Sequence, residues 1–143
     1  MQKTQLKPNV MKAGNIEILD LDFEYKLWKN KIAFSKSEIE LLQDRVHVLS
    51  RENPGWMPDE KHMLLFTVQL EAIKSIEKQI HTQEQEIAFY AEDYPINTGH
   101  THYIIHENIR KEVAKINFRQ NEIINDIYPL LCYPLSQEEI LNN

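Results

Sequence analysis

Residues that interrupt helices or build reactive sites are scarce in this chain of 143 residues. It has three glycines and one cysteine. With Cys132 alone, neither an internal disulfide nor a multi-thiolate metal site can form within one chain. The glycines are isolated, which excludes a glycine-rich loop that cradles phosphate. These shortages favour long helices over a sheet and exclude two common kinds of reactive site.

Long apolar runs and a basic surface are also missing. No run of about 18 uncharged apolar residues occurs, so we expect no membrane-spanning helix. The N-terminal lysines precede no apolar core of about 7–15 residues, which argues against a secretory signal. Together with the lone cysteine, these features predict a cytoplasmic protein. The net charge is −6, and an acidic middle without a basic stripe argues against a nucleic-acid partner.

Heptad spacing is the strongest pattern that is present, and it extends from Ile18 to Leu49. Apolar residues recur every seven residues at two positions that share one helical face. The first position holds Ile18, Tyr25, Ile32, Ile39 and Val46, and the second holds Leu21, Trp28, Ser35, Leu42 and Leu49. No proline or glycine interrupts them. The pattern predicts a long helix that packs along another helix.

Proline and glycine clusters divide the rest of the chain. We predict a flexible N-terminal tail over 1–14 and a single helical-bundle domain over 15–143. Helices are predicted at about 15–52, 59–93 and 101–128, with a short turn at 137–141. Similar lengths and short connections favour antiparallel neighbours. The predicted fold is therefore all-α: three long antiparallel helices in a coiled-coil-like bundle, with a C-terminal tail folded back against it.

A further apolar row on the first helix is the candidate interaction surface. It lies about 100° around the helix from the second core position. Its members are Leu27, Phe34, Leu41 and Val48. Two rows indicate two neighbours, as in a three-helix bundle or a homodimer of hairpins. The alternative is one wide buried face on a helix that drifts from the ideal repeat.

Two histidines are the candidate ligand site. His102 and His106 lie one helical turn apart, a spacing that can hold a metal. Two imidazoles are too few for a tight site, and the predicted packing places His106 beside Tyr25 and Tyr90, which are hydrogen-bond partners rather than usual zinc ligands. We therefore predict a polar layer at one end of the bundle, with no metal and no cofactor. The alternative is a small-ligand or metal-binding bundle with this end as its pocket.

Polar residues interrupt the apolar rows at six positions: Ser35, Gln69, Gln83, His102, His106 and Gln120. An unpaired buried amide costs about 1–3 kcal/mol, so we expect these side chains to bond to one another, to water or to a partner chain. Such contacts would fix the register of the helices. The alternative is a partly open seam that accepts another helix.

Catalytic patterns are weak. Cys132 lies in an apolar, proline-flanked stretch that disfavours the reactive thiolate, and His62 is the one candidate base for it. No Glu-x-x-His pair of the di-iron type occurs. We therefore predict a non-enzymatic protein that acts through protein–protein association or self-association, without a small-molecule substrate, nucleic acid or membrane. Monomer and dimer both remain open at this point.

Overall fold

The chain folds into a helical bundle in the computed structural model, which describes residues 15–89 and 95–132. The helices are α1 (Ile18–Glu52), α2 (Glu60–Ile87), α3 (Thr101–Asp126) and the short α4 (Tyr128–Leu131). The predicted all-α fold of three long helices is confirmed. The predicted tail over 1–14 and the predicted turn over 137–141 lie outside the described residues.

Consecutive long helices pack antiparallel, so α1 and α3 run in the same direction. Lys29 near the start of α1 contacts Glu84 near the end of α2, with Nζ 3.0 Å from Oε1. Glu24 of α1 contacts His106 in the second turn of α3. A two-way backbone hydrogen bond between Ile16 and Ile96 joins the segment before α1 to the loop before α3. The starts of α1 and α3 therefore lie side by side.

The buried side chains are those of the heptad rows. Every residue of the two rows on α1 is buried, except for Leu42, which is partly buried. Facing rows on α2 and α3 are mainly isoleucines: Ile73, Ile76, Ile80, Ile87, Ile109, Ile116 and Ile123. Burying one such side chain stabilises the fold by about 1.5–3 kcal/mol. The rows therefore hold the three helices together.

A polar layer crosses the middle of this core. Gln69 Nε2 donates to Gln120 Oε1 at 2.8 Å and to the carbonyl of Ile116 at 2.9 Å. Gln120 Nε2 donates to the carbonyl of Ser35 at 3.2 Å and to Glu38 Oε1 at 2.7 Å. All six polar residues predicted on core rows are buried. The layer joins all three long helices and lies between two apolar clusters.

Helix ends differ from the prediction where local bonding favours another geometry. α1 starts at Ile18 and not at 15, because the backbone of Ile16 is extended and bonded to Ile96. α2 ends at Ile87 and not at 93, and Phe89 N donates to the carbonyl of Glu86 in a tightened last turn. Residues 90–94 lie outside the described ranges.

The end of the third helix also differs, because of a proline. α3 ends at Asp126, and α4 begins at Tyr128 with Pro129 in its first turn. Proline lacks the N–H that a continuing helix needs, but it fits the first turn of a new one. The predicted single helix to 128 is therefore divided in two.

The C-terminal segment folds back on the bundle, as predicted, through Cys132. Leu131 is buried in the apolar cluster at the far end from His102 and His106, and Arg45 Nε donates to its carbonyl at 3.0 Å. Trp56, in the loop between α1 and α2, packs against the same cluster. Its neighbour Gly55 has φ 91°, a conformation that glycine adopts without strain. Loop and tail together close this end of the core.

Candidate functional site

The outward side of α1 carries a row of exposed apolar side chains. Leu27, Phe34 and Leu41 of the predicted surface are 42%, 66% and 68% exposed, and Val48 is partly buried. Leu19 and Phe23, which are 55% and 65% exposed, extend the row by two turns. We call these residues the apolar stripe: Leu19, Phe23, Leu27, Phe34, Leu41 and Val48.

The apolar stripe lies nearly opposite the core. At about 100° per residue, its members fall within about 80° of one another and about 150° from the centre of the buried rows. At about 1.5 Å per residue, the stripe is about 40 Å long. The alternative of one wide buried face is therefore wrong, since none of the described helices covers this side of α1.

The exposed area of the stripe is that of the largest apolar patch on a typical monomer, which is often functional. A fully exposed phenylalanine or leucine presents about 150–200 Å², so the stripe exposes on the order of 500 Å². This is near the upper limit of the largest apolar patch on a typical monomer, about 300–600 Å². Other exposed apolar side chains on the long helices, such as Leu64, Val68, Ile104 and Phe118, occur singly or as a pair.

A second feature is the environment of His106, near the shared start of α1 and α3. The side chain is fully buried, and its Nε2 lies 2.7 Å from Glu24 Oε1. Its ring stacks on Trp28, with centroids 4.7 Å apart, and meets the edge of Tyr25 at 4.6 Å. The predicted proximity to Tyr25 is confirmed. The hydrogen-bond partner of His106, however, is Glu24. Tyr25 contacts the imidazole only through its ring.

Glu24 links His106 to Arg110. Arg110 Nη1 donates to Glu24 Oε2 at 2.8 Å, and Arg110 Nε donates to Glu107 Oε2 at 3.1 Å. The guanidinium carbon also lies 5.3 Å from the centroid of the Trp28 ring. Burial would raise the pKa of Glu24, but the hydrogen bonds from Arg110 and His106 lower it overall. Glu24 is therefore ionised at neutral pH.

His106 is neutral at the same pH. Burial lowers the pKa of His106, and the bond to Glu24 offsets only part of this effect. A neutral imidazole that bonds to a carboxylate carries its proton on Nε2, so Nδ1 is a buried acceptor with no partner among the described residues. The Tyr25 hydroxyl is also buried without such a partner, and burial raises its pKa. The cluster thus packs a neutral histidine between aromatic rings.

The structure places the metal candidates in the core without further ligands. His102 and His106 are both buried, and burial, together with the neighbouring His100, lowers the pKa of His102. Over residues 15–89 and 95–132, no group of three His, Cys, Asp or Glu side chains could hold a metal ion. Tyr90, the fourth member of the alternative pocket, lies outside the described residues.

The residues of the proposed thiol chemistry are placed at the other end of the bundle. Cys132 is partly buried just after α4, and His62 is partly buried in the first turn of α2. Neither contacts the cluster around His106. The positions of Cys132 and His62 give no further support to thiol catalysis.

Sequence patterns do not single out Glu24 and Arg110. Glu24 lies between the second core row and the apolar stripe of α1, a position that is normally solvated. Its role depends on the three-dimensional register of α1 and α3. The spacing of four between His106 and Arg110 is the one available signal, since such residues share a face. For Leu19 and Phe23, the same spacing before Leu27 could have extended the predicted surface.

Comparisons with known proteins leave these two features as the basis for a function. No protein-family model, curated protein or solved structure matches the chain. None of the helices in the described part of the chain is long and apolar enough to cross a membrane. A functional conclusion therefore depends on the apolar stripe and on the His106 cluster.

Proposed function

We propose that this chain is a non-enzymatic helical-bundle protein that acts through protein–protein association, including self-association, by the apolar stripe of α1. The observation that supports this proposal is the exposure of Phe34 and Leu41 in the middle of a long helix. The bundle uses the opposite side of α1, where helices of small proteins normally carry their apolar residues. Apolar residues that persist on the outward side are typical of an interaction surface.

The energetics favour association of moderate strength. Two stripes in contact would bury about 1,000 Å² in total, which is at the lower end of specific interfaces. At about 25 cal/mol per Å² the gross gain is on the order of 25 kcal/mol. Losses of translational freedom and of side-chain freedom offset much of it. We therefore expect a dissociation constant in the micromolar range, at about 1–100 μM.

The double variant Phe34→Glu, Leu41→Glu tests the proposal. Both side chains are exposed, so helicity by circular dichroism is expected to remain that of the wild type. Light scattering at about 100 μM is expected to show a fall from a multiple of 17.0 kDa to 17.0 kDa itself. The matched control is Leu64→Glu, Phe118→Glu, which charges exposed apolar side chains on α2 and α3.

Two outcomes would contradict the proposal. Equal masses of the wild type and the stripe variant, at a concentration where the wild type is oligomeric, would exclude the stripe as the surface. An equal loss of mass in the control would show that added charge, and not the position of the change, disperses the protein.

A further inference from the structure

Two pairs of charged residues beside the apolar stripe have opposite signs on the two sides of Phe34. On one flank, Lys26 immediately precedes Leu27 and Glu40 immediately precedes Leu41. These two charged side chains are exposed. The same flank also carries two acidic residues farther from Phe34, Asp22 before it and Asp44 after it.

The other flank carries the second pair of opposite charges. Lys31 lies four residues after Leu27, and Glu38 lies four residues after Phe34. Lys31 is exposed, and Glu38 is partly buried, with Oε1 accepting from Gln120. When α1 is reversed end to end, both pairs are complementary to themselves, whereas Asp22 and Asp44 place like charges opposite each other at the ends of the first flank.

This charge pattern favours one orientation of α1 relative to α1 of a second, symmetry-related copy. A two-fold axis that passes beside Phe34, perpendicular to α1, relates antiparallel helices and brings each flank against the same flank of the other copy. Lys26 then faces Glu40 of the second copy, and Lys31 faces Glu38 of the second copy. In the stripe itself, Leu27 meets Leu41 of the second copy. One register therefore matches the apolar residues and the four charged residues nearest to Phe34 on the two flanks.

The parallel arrangement lacks this match. A two-fold axis along the helices brings opposite flanks together at the same height, so that Asp22 lies beside Asp20 of the second copy and Glu40 lies beside Glu38. Like charges in these flanking positions oppose pairing, and such charges determine the orientation of paired helices. The helix dipoles also oppose parallel pairing and favour antiparallel pairing.

We propose that the partner of the apolar stripe is the stripe of a second copy of this chain, packed antiparallel about a two-fold axis near Phe34. This inference rests on the proposed function and names its partner. The area supports it, since about 1,000 Å² suffices for a specific but reversible dimer.

Cysteine cross-linking tests the orientation. Leu27→Cys, Leu41→Cys and the double variant are oxidised mildly in a Cys132→Ser background. In the antiparallel dimer, equivalent residues 27 lie about 20 Å apart along the axis, and a disulfide needs Cα atoms within about 7 Å. The single variants are therefore expected to stay monomeric on a non-reducing gel, whereas the double variant forms a covalent dimer. The same separation prevents a disulfide within one chain.

The other outcomes are distinguishable. Covalent dimers from either single variant indicate parallel pairing and overturn the inference, while the proposed function stands. No covalent dimer from the double variant, at a concentration where light scattering shows it to be dimeric, also overturns the inference alone. A wild-type mass of 17.0 kDa at about 100 μM overturns both the inference and self-association.

Charge reversal provides a second measurement that keeps the stripe intact. Lys26→Glu sets two like-charged pairs across the antiparallel dimer, and is expected to raise the dissociation constant about 2- to 10-fold. Adding Glu40→Lys restores opposite charges and is expected to restore the wild-type constant. Lys26 also pairs with Asp22 of its own helix, so the single variant changes a contact within the chain as well. The informative result is therefore the restoration of the dissociation constant in the double variant. A double variant that dimerises as weakly as Lys26→Glu would contradict the proposed register.

Discussion

Removal of the Glu24 carboxylate is the perturbation whose effect follows most directly from the structure. Glu24 accepts hydrogen bonds from the buried Nε2 of His106 and from Arg110. The variant Glu24→Ala leaves the His106 donor buried without its acceptor. Arg110 keeps Glu107 and reaches solvent, so it loses much less than His106 does.

The expected loss of stability is the sum of two effects, at His106 and at Arg110. A buried donor without a partner costs about 1–3 kcal/mol. The partly exposed pair with Arg110 adds up to about 1 kcal/mol. The free energy of unfolding is therefore expected to fall by about 1–4 kcal/mol. For a domain of this size the melting temperature falls by about 3–4 °C per kcal/mol, which gives a decrease of about 3–16 °C.

Thermal and urea unfolding, followed by circular dichroism, measure this difference. The matched control is Glu107→Ala, because Glu107 pairs with the same arginine but lies on the outer side of α3, away from the buried imidazole. The free energy of unfolding of Glu107→Ala is expected to fall by less than about 0.5 kcal/mol. Equal costs for the two variants would refute the reasoning, since they would show that the charge of Arg110, and not the buried donor, determines the effect.

Two further predictions concern protons and buried amides. The pKa of His106 is lowered from 6.5, so below pH 6.5 the unfolded chain binds a proton that the folded chain does not. Stability is expected to decrease as the pH falls from 7 to 5.5, and His106→Phe should flatten this slope in urea titrations. Gln69→Leu leaves Gln120 Oε1 buried without its donor and is expected to cost about 1–3 kcal/mol, whereas the exposed Gln79→Leu should change the free energy of unfolding by less than about 0.5 kcal/mol.

The core was predictable because its signal is local and repeated. Heptad spacing alone identifies Ile32 and Ile39 as buried, and it also places the polar Ser35 between them in the core. The end of α2 was not predictable in the same way. It depends on a tightened turn at Phe89, beyond the last residue of the apolar row.

The His106 cluster was predictable only in part, for a related reason. Antiparallel packing of neighbouring helices implies that His106 lies near Tyr25, and this contact follows from helix lengths alone. The bond to Glu24 depends on the rotation of α1 about its axis, to within the reach of one side chain. A repeat of apolar residues defines which face is buried, but it does not determine which charged residue at the edge of that face turns inward.

The amide layer of Gln69 and Gln120 has a consequence for how the bundle can come apart. It divides the interior into two apolar compartments with different closures. The compartment beside Trp56 is sealed by Leu131, which belongs to the last described turn of the chain. Among residues 15–89 and 95–132, the compartment beside His106 contains none that follows α3. Fraying of α4 therefore exposes the compartment beside Trp56 to water, whereas the compartment beside His106 keeps its contacts.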